Sequence, residues 1–371
     1  MRIGFDAKRA FFNKSGLGNY SRDTINILCE QYPENKYFLY TPKNLTQNFL
    51  DKEKINYTIC TPSNIINRIF PSYWRTKAIT NDLLSSRIDI YHGLTHELPL
   101  GIEKTNIKTV VTIHDLIFLR HPEFFNKIDR KIYYSKVKSS CIRANKIIAI
   151  SENTKKDIIE LLNIPEEKIT VIYQGCNKVF HSCIKKEDRE KTLKKYKLPS
   201  DYLLYVGNIE ERKNLMTLLK TIKSLKTFKL VVIGNGKNYK EKCIEYIKRN
   251  NLTNQVFFIH KIAQQEIASI YQSAKILIYP SIYEGFGIPI LESLYSNTPV
   301  ITTKNGCFKE TGGPNTKYIN PLSVTEIKNE VINIYSSKET QNKMKEEGLK
   351  YAQKFNNAHI SKNLITLYRT L

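Results

Sequence analysis

The 371-residue chain has no C-x-x-C pair, and its seven cysteines (Cys29, Cys60, Cys141, Cys176, Cys183, Cys243 and Cys307) are odd in number and scattered. This excludes a disulfide framework and a zinc ribbon, and fits free thiols in a reducing compartment. Long apolar runs are missing as well. The longest, such as Tyr202–Val206 and Leu230–Ile233, are strand-sized, whereas a membrane span takes about 20 apolar residues. The opening Met1-Arg2-Ile3-Gly4-Phe5-Asp6 reads as a strand rather than a charged leader before an apolar stretch, so no signal peptide is expected. A cytoplasmic location is the expectation, with peripheral attachment to a membrane surface left open. Zinc fingers, helix-turn-helix patterns and aromatic RNA-binding motifs are absent, so no specific nucleic-acid partner is expected. Acidic residues are few: 35 against 58 basic, a net charge of +23. The excess is spread over both halves rather than held in a tail. It favours polyanions (nucleotide phosphates, anionic lipid or nucleic acid) without choosing among them.

What is present is an alternation. Strand-like runs fall at Arg2–Phe5, Tyr37–Tyr40, Tyr57–Cys60, Ile88–Tyr91, Thr109–Ile113, Lys146–Ile150 and Ile169–Tyr173. A second series falls at Tyr202–Val206, Lys229–Ile233, Val256–Ile259, Ile276–Tyr279 and Val300–Thr302. Helical patterns lie between most of them, which predicts α/β architecture with parallel sheets covered on both faces. The lysine-rich stretch 181–200 separates the series. The expected division is a Rossmann-like acceptor-side domain over 1–185, a ligand-binding domain over 186–355, and a final helix over 356–371 that packs back on the first domain. Two doubly wound domains facing one crevice would gather strand ends and helix N-termini around a phosphate-bearing ligand.

The densest chemistry lies in Glu284-Gly285-Phe286-Gly287-Ile-Pro289-Ile-Leu-Glu292, placed after a strand and across the start of a helix. Carboxylates accept hydrogen bonds from sugar hydroxyls, and a carboxylate suits a ribose diol. Gly285 and Gly287 permit close backbone approach, and Pro289 suits a first helical turn. The alternative is a solvated loop acid and a surface helix acid. After the first strand of the second series comes Gly207-Asn-Ile-Glu-Glu-Arg212-Lys213-Asn214. Fixed cations there would stabilise a leaving diphosphate more in the transition state than in the ground state. No D-x-D motif occurs, in keeping with cations in place of a metal. The alternative is an ordinary solvated basic pair.

In the first half, Gly16 and Gly18 follow strand one by too long a gap for a dinucleotide fingerprint, Ser21 stands where its third glycine belongs, and strand two ends in Thr41-Pro42 without an acid. A nicotinamide oxidoreductase is thereby excluded. His114 follows a strand at its C-terminal end, where it could donate a hydrogen bond to a sugar or phosphate oxygen; a helix-capping role for His114-Asp115 is the alternative. His92 and His96 have metal-like spacing, but Gly93 and Pro99 break any helix that would align them, so no metal is expected. Two basic, apolar stretches, Asn67–Leu84 and Lys127–Lys146, have the composition of membrane-surface helices. A helix packed on its own sheet with a solvated outer face is the rival reading, and the favoured one for the second stretch.

Together these segments resemble the retaining nucleotide-sugar glycosyltransferases of the GT-B fold, in the large family numbered four, over nearly the whole chain. Glu284 through Glu292 matches the family's E-x7-E motif, Gly207 through Asn214 its glycine-then-Arg-Lys-Asn element, Ser15 through Tyr20 its N-terminal glycine loop, and His114-Asp115 its first-domain histidine. The resemblance implies two facing Rossmann-like domains with an interdomain cleft and no cofactor beyond the donor substrate. It implies Glu292 on the donor ribose, and Glu284 on the donor sugar beside Gly285, Phe286 and Gly287. Arg212 and Lys213 would hold the diphosphate near Gly207. Gly16 and Gly18 would shape the diphosphate and acceptor side, His114 would contact the sugar, and the backbone around Ile262 would border the base. His260-Lys261 departs from the family's usual glycine. Within the family the closest likeness is to mannosyltransferases of polysaccharide assembly, implying GDP-mannose and a glycan or lipid-linked acceptor; a UDP-sugar donor, or a non-enzymatic polyanion binder, are the rivals. Linkage and oligomeric state are not legible.

Overall fold

Runs such as Leu203-Leu-Tyr-Val and Leu230-Val-Val-Ile are apolar at every position, the pattern of strands buried on both faces of a parallel sheet. The computed structural model describes residues 1–13, 16–43 and 56–371. It divides into two units: Met1–Gly175 with Phe355–Leu371, and Cys176–Lys354. The first unit thus ends at Gly175 rather than near residue 185, and the lysine-rich helix Lys186–Lys195 falls in the second.

The first unit holds β1 (Arg2–Asp6), β2 (Lys36–Tyr40), β3 (Tyr57–Cys60), β4 (Ile90–Gly93), β5 (Lys108–Ile113), β6 (Lys146–Ala149) and β7 (Ile169–Val171). Their order is β3-β2-β1-β4-β5-β6-β7, and every pairing is parallel. The order reverses between β1 and β4. One core fills the space under the helices, with Tyr40, Trp74, Leu83, Val111, Ile147 and Ile158 all buried. The last helix, Asn357–Arg369, belongs to this unit. Asn356 caps it by accepting from His359 N at 2.8 Å, and its buried Ile360, Leu364, Leu367 and Tyr368 follow helical spacing. The Tyr368 hydroxyl reaches His92 Nδ1 at 2.6 Å.

The second unit repeats the plan with β8 (Leu203–Val206), β9 (Leu230–Ile233), β10 (Val256–Ile259), β11 (Ile276–Tyr279), β12 (Val300–Thr303) and β13 (Lys317–Ile319). The order is β10-β9-β8-β11-β12-β13, again all parallel, reversing between β8 and β11. Its own core gathers Tyr205, Leu218, Val232, Ile276, Ile278 and Ile301. In such sheets a ligand sits beyond the strand C-termini at the reversal. In this unit that places the loops after β8 and β11 side by side. No helix among the described residues is long and apolar enough to cross a membrane.

Candidate active site

The loop after β8 tightens into a single 3-10 turn, Glu211–Lys213, and ends at Asn214 in the left-handed conformation (φ 55°). Asn214 keeps that geometry because its side chain is fully engaged. Its Nδ2 donates to Pro280 O (3.3 Å) and Pro321 O (2.6 Å), and its Oδ1 accepts from Thr217 Oγ1 (2.7 Å). Arg212 O then accepts from Ile282 N at 2.8 Å, which ties this loop to the one after β11. On its other side the β8 loop lies close to the loop after β9, which glycine allows: a Cβ on Gly234 would stand 1.9 Å from Gly207 O.

Glu284 is the meeting point. Its Oε1 lies 2.5 Å from Lys213 Nζ and 2.8 Å from Arg212 Nη1, and accepts from the Tyr279 hydroxyl at 3.0 Å. Lys213 Nζ also donates to Tyr279 O–H at 2.6 Å. Arg212 reaches Tyr283 O (2.5 Å) and Glu210 Oε1 (2.6 Å). These side chains are largely buried: 14% exposed for Arg212 and 12% for both Lys213 and Glu284. Burial pushes the Glu284 carboxyl up, but Lys213 and Arg212 outweigh it and hold the group at about 2. The result is one carboxylate spread over two fixed cations. An incoming phosphate would find the cations already in place, and the carboxylate would then be released toward a neighbouring hydroxyl.

Gly287 caps the following helix, Ile288–Tyr295, at φ 91°, with Pro289 in its first turn. Glu292 stands one turn inside and accepts from the Tyr271 hydroxyl at 2.7 Å. Gly285 is buried beside Glu284. Phe286 is 1% exposed and its carbonyl accepts from the buried Thr311 Oγ1 at 2.5 Å, so both its side chain and its backbone anchor the loop. Ile262 is half-buried beyond the end of β10. Nearby, His260 Nδ1 lies 3.1 Å from Lys240 Nζ and its carbonyl accepts from Asn235 Nδ2.

In the first unit, His114 directly follows β5 and is buried at 5% exposure. Its Nε2 donates to Leu94 O at 2.9 Å, Tyr20 meets it edge-on at 4.5 Å, and His96 stacks on it at 5.3 Å. Burial above all, with His96 second, lowers its pKa to about 3. The ring is therefore neutral, with its proton given to Leu94 O. It would accept a hydroxyl hydrogen at Nδ1, not donate as the sequence suggests, because the backbone carbonyl takes the donor. Both ring nitrogens of His92 are engaged, by Tyr368 O–H and Thr112 Oγ1. Among the described residues no group of three or more His, Cys, Asp or Glu is placed to hold a metal.

Gly16 opens the helix Gly16–Gln31 and faces open space. Gly18 does not: a Cβ there would lie 1.8 Å from Asn13 O, so its bareness serves packing within the loop. Ser15, at the start of that motif, lies outside the described residues. The basic stretch Asn67–Leu84 is not uniformly outward. Trp74, the first residue of a π-helical turn over Trp74–Ala78, is 1% exposed and donates to Asp82 Oδ2 at 2.5 Å.

Tyr279, Tyr271 and Asn214 order the second unit's site and went unread in the sequence. A signal existed for Tyr279, the last residue of the strand that leads into the glutamate loop.

Residues 28–178 match the profile described as Glycosyltransferase Family 4, and residues 184–351 that described as Glycosyl transferases group 1. Over 284 residues the chain is 29% identical to the O-antigen chain mannosyltransferase RfbU of Salmonella typhimurium, spanning 72% of this chain and 74% of that one. Over 291 residues it is 26% identical to O-antigen chain mannosyltransferase B of Escherichia coli, spanning 76% and 74%. Among solved structures, sucrose-phosphate synthase from Thermosynechococcus elongatus superposes with a TM-score of 0.82 at 17% identity, over 100% of this chain and 98% of that one, a likeness of fold.

Proposed function

The chain belongs to the GT-B glycosyltransferases of family 4, which take a sugar from a nucleotide-sugar donor, and from that premise we propose that it transfers mannose from GDP-mannose, with retention, to a glycan or lipid-linked glycan acceptor in O-antigen or related surface-polysaccharide assembly. The observation that carries this reading is the Arg212–Lys213–Glu284 cluster at the strand reversal of the second unit. Arg212 and Lys213 take the diphosphate and stabilise the charge that gathers on it as the glycosidic bond breaks. Glu284, displaced from the cations, accepts from donor-sugar hydroxyls, and Glu292 accepts from the ribose diol. Retention is reached when the acceptor hydroxyl attacks from the face the diphosphate leaves, its proton passing to the departing phosphate oxygen. His114 accepts a hydroxyl hydrogen at Nδ1. The names of the two mannosyltransferase relatives support the sugar transferred and the pathway.

The enzyme works in the cytoplasm, on the membrane face that presents its acceptor. Exposed Ile65, Ile66, Ile69, Phe70 and Tyr73, and exposed Ile128, Ile132 and Ile142 on the basic helix Lys127–Arg143, support peripheral attachment to anionic lipid. Thermal shifts and donor hydrolysis across a panel of nucleotide sugars test the donor. GDP-mannose at a hundred times its Kd should add about 2.7 kcal/mol of stability and be slowly hydrolysed. A response to UDP-glucose, UDP-galactose or a UDP-N-acetylhexosamine, with none to GDP-mannose, refutes the mannosyl reading.

A further inference from the structure

The first unit carries a charged cavity at the place where its own sheet reverses. Asp6 is the last residue of β1, and Glu97 lies in the loop that follows β4, so both stand beyond the strand C-termini at the reversal, where doubly wound sheets take ligands. One guanidinium joins them. Arg75 Nε and Nη2 lie 2.9 and 2.8 Å from Asp6 Oδ2, and Arg75 Nη1 lies 2.9 Å from Glu97 Oε2. Arg75 lies in a π-helical turn, Trp74–Ala78, and its side chain is 17% exposed. The other Glu97 oxygen, Oε1, accepts a long, exposed bond from Lys136 Nζ at 3.5 Å, a weak pair that a ligand hydroxyl can replace.

These groups line a cavity of about 260 Å³, completed by Tyr91, Ser135 and Arg143. It lies near the small end of the range for ligand pockets, ~300–1,000 Å³. A groove of about 510 Å³ shares Ser135, Ser139 and Arg143 with it and continues along the helix Lys127–Arg143 past Tyr134 and Lys138. Carboxylates and cations alternate around the cavity. Arg75 already lies against Asp6 and Glu97, Lys136 against Glu97, and Arg143 against Glu103, so a phosphate would have to displace a carboxylate to reach any of these cations. A sugar ring, whose hydroxyls both donate and accept, matches the lining.

We propose that this cavity binds the terminal sugar of the acceptor, Glu97 and Arg75 holding its hydroxyls, and that the groove along Lys127–Arg143 carries the sugar behind it. Arg75 sets the position of Glu97 by fixing it to Asp6, the end of the first strand. The assignment deepens the glycosyltransferase reading and rests on it.

The test uses the full chain and saturation-transfer NMR with the methyl glycosides of mannose, glucose, galactose, rhamnose and N-acetylglucosamine. At least one glycoside should receive saturation from the wild type. That signal should fall about tenfold in Ser135→Trp, which fills the cavity from an exposed helix position, and in Glu97→Gln, which keeps the shape and removes the charge. Both variants should keep the thermal shift given by the nucleotide sugar. In transfer assays the acceptor KM should rise about tenfold while the donor KM holds. No signal from any glycoside, or a signal that survives both substitutions, overturns the proposal. A wild type that binds glycosides yet shows no shift with any nucleotide sugar overturns the donor reading instead and leaves the cavity assignment standing.

Discussion

Replacing Glu284 by alanine removes the one carboxylate that Lys213 and Arg212 share. The two cations, 12% and 14% exposed, would be left adjacent. Breaking a buried pair from one side costs about 3–5 kcal/mol. Arg212 keeps Glu210 and the Tyr283 carbonyl, so the loss should fall at the lower end, about 3 kcal/mol. For a unit of this size that is a drop in melting temperature of about 6–12 °C. The same substitution leaves two cations open to phosphate. GDP or UDP at a hundred times its Kd adds about 2.7 kcal/mol and should restore most of the loss, while turnover stays down by about two orders of magnitude or more because the donor sugar has lost its contact. Scanning fluorimetry with and without the nucleoside diphosphate, beside a donor-consumption assay, reads both effects. An alanine variant that melts with the wild type in the absence of nucleotide and consumes donor at a near-normal rate refutes the reasoning.

Three further outcomes are expected. His92 and His114, held near 3, and His96, near 4, lie below their ordinary 6.5, so the unfolded chain binds more protons between those values. Stability from these groups is full above pH 6.5 and falls as pH drops toward 4, by about 1.4 kcal/mol per pH unit per histidine; urea unfolding of equal midpoint at pH 7 and pH 5 would contradict this. Tyr368→Phe, which removes the 2.6 Å bond to His92, should cost about 1–2 kcal/mol in the first unit and leave the nucleotide-induced shift unaltered, as differential unfolding with and without nucleotide will report. Gly234→Ala would force a Cβ to within 1.9 Å of the Gly207 carbonyl, so the loops after β8 and β9 must part; a loss of more than about 2 kcal/mol together with weakened nucleotide binding is expected, and normal nucleotide affinity would count against that loop contact.

The strands were readable because buried parallel strands are apolar at every position. All twelve expected runs hold strands, and among the described residues only Lys317–Ile319, three residues long with a polar start, escaped. The candidate site residues Glu284, Arg212 and Lys213 were singled out by type and spacing, but their mutual contact was not legible. Arg212 and Glu284 come together only because β8 and β11 are neighbours in the sheet. Trp74 and Arg75 misled for the opposite reason: the basic, aromatic composition of their stretch suggested a surface, and contacts with Asp82 and Asp6, distant in sequence or hidden in the fold, hold them inward. Tautomers also lie beyond sequence. His114 reads as a donor until the Leu94 carbonyl claims its proton.

Donor turnover by Lys213→Met most directly tests the claim that fixed cations absorb the charge of the leaving diphosphate. Methionine keeps much of the side chain's length without the charge, and Arg212 with Glu284 remains to hold the loop. The expected result is a fall in kcat of about a hundredfold or more at saturating donor, with a much smaller change in donor KM. A variant that binds the donor less well but turns it over at the wild-type kcat would contradict the account.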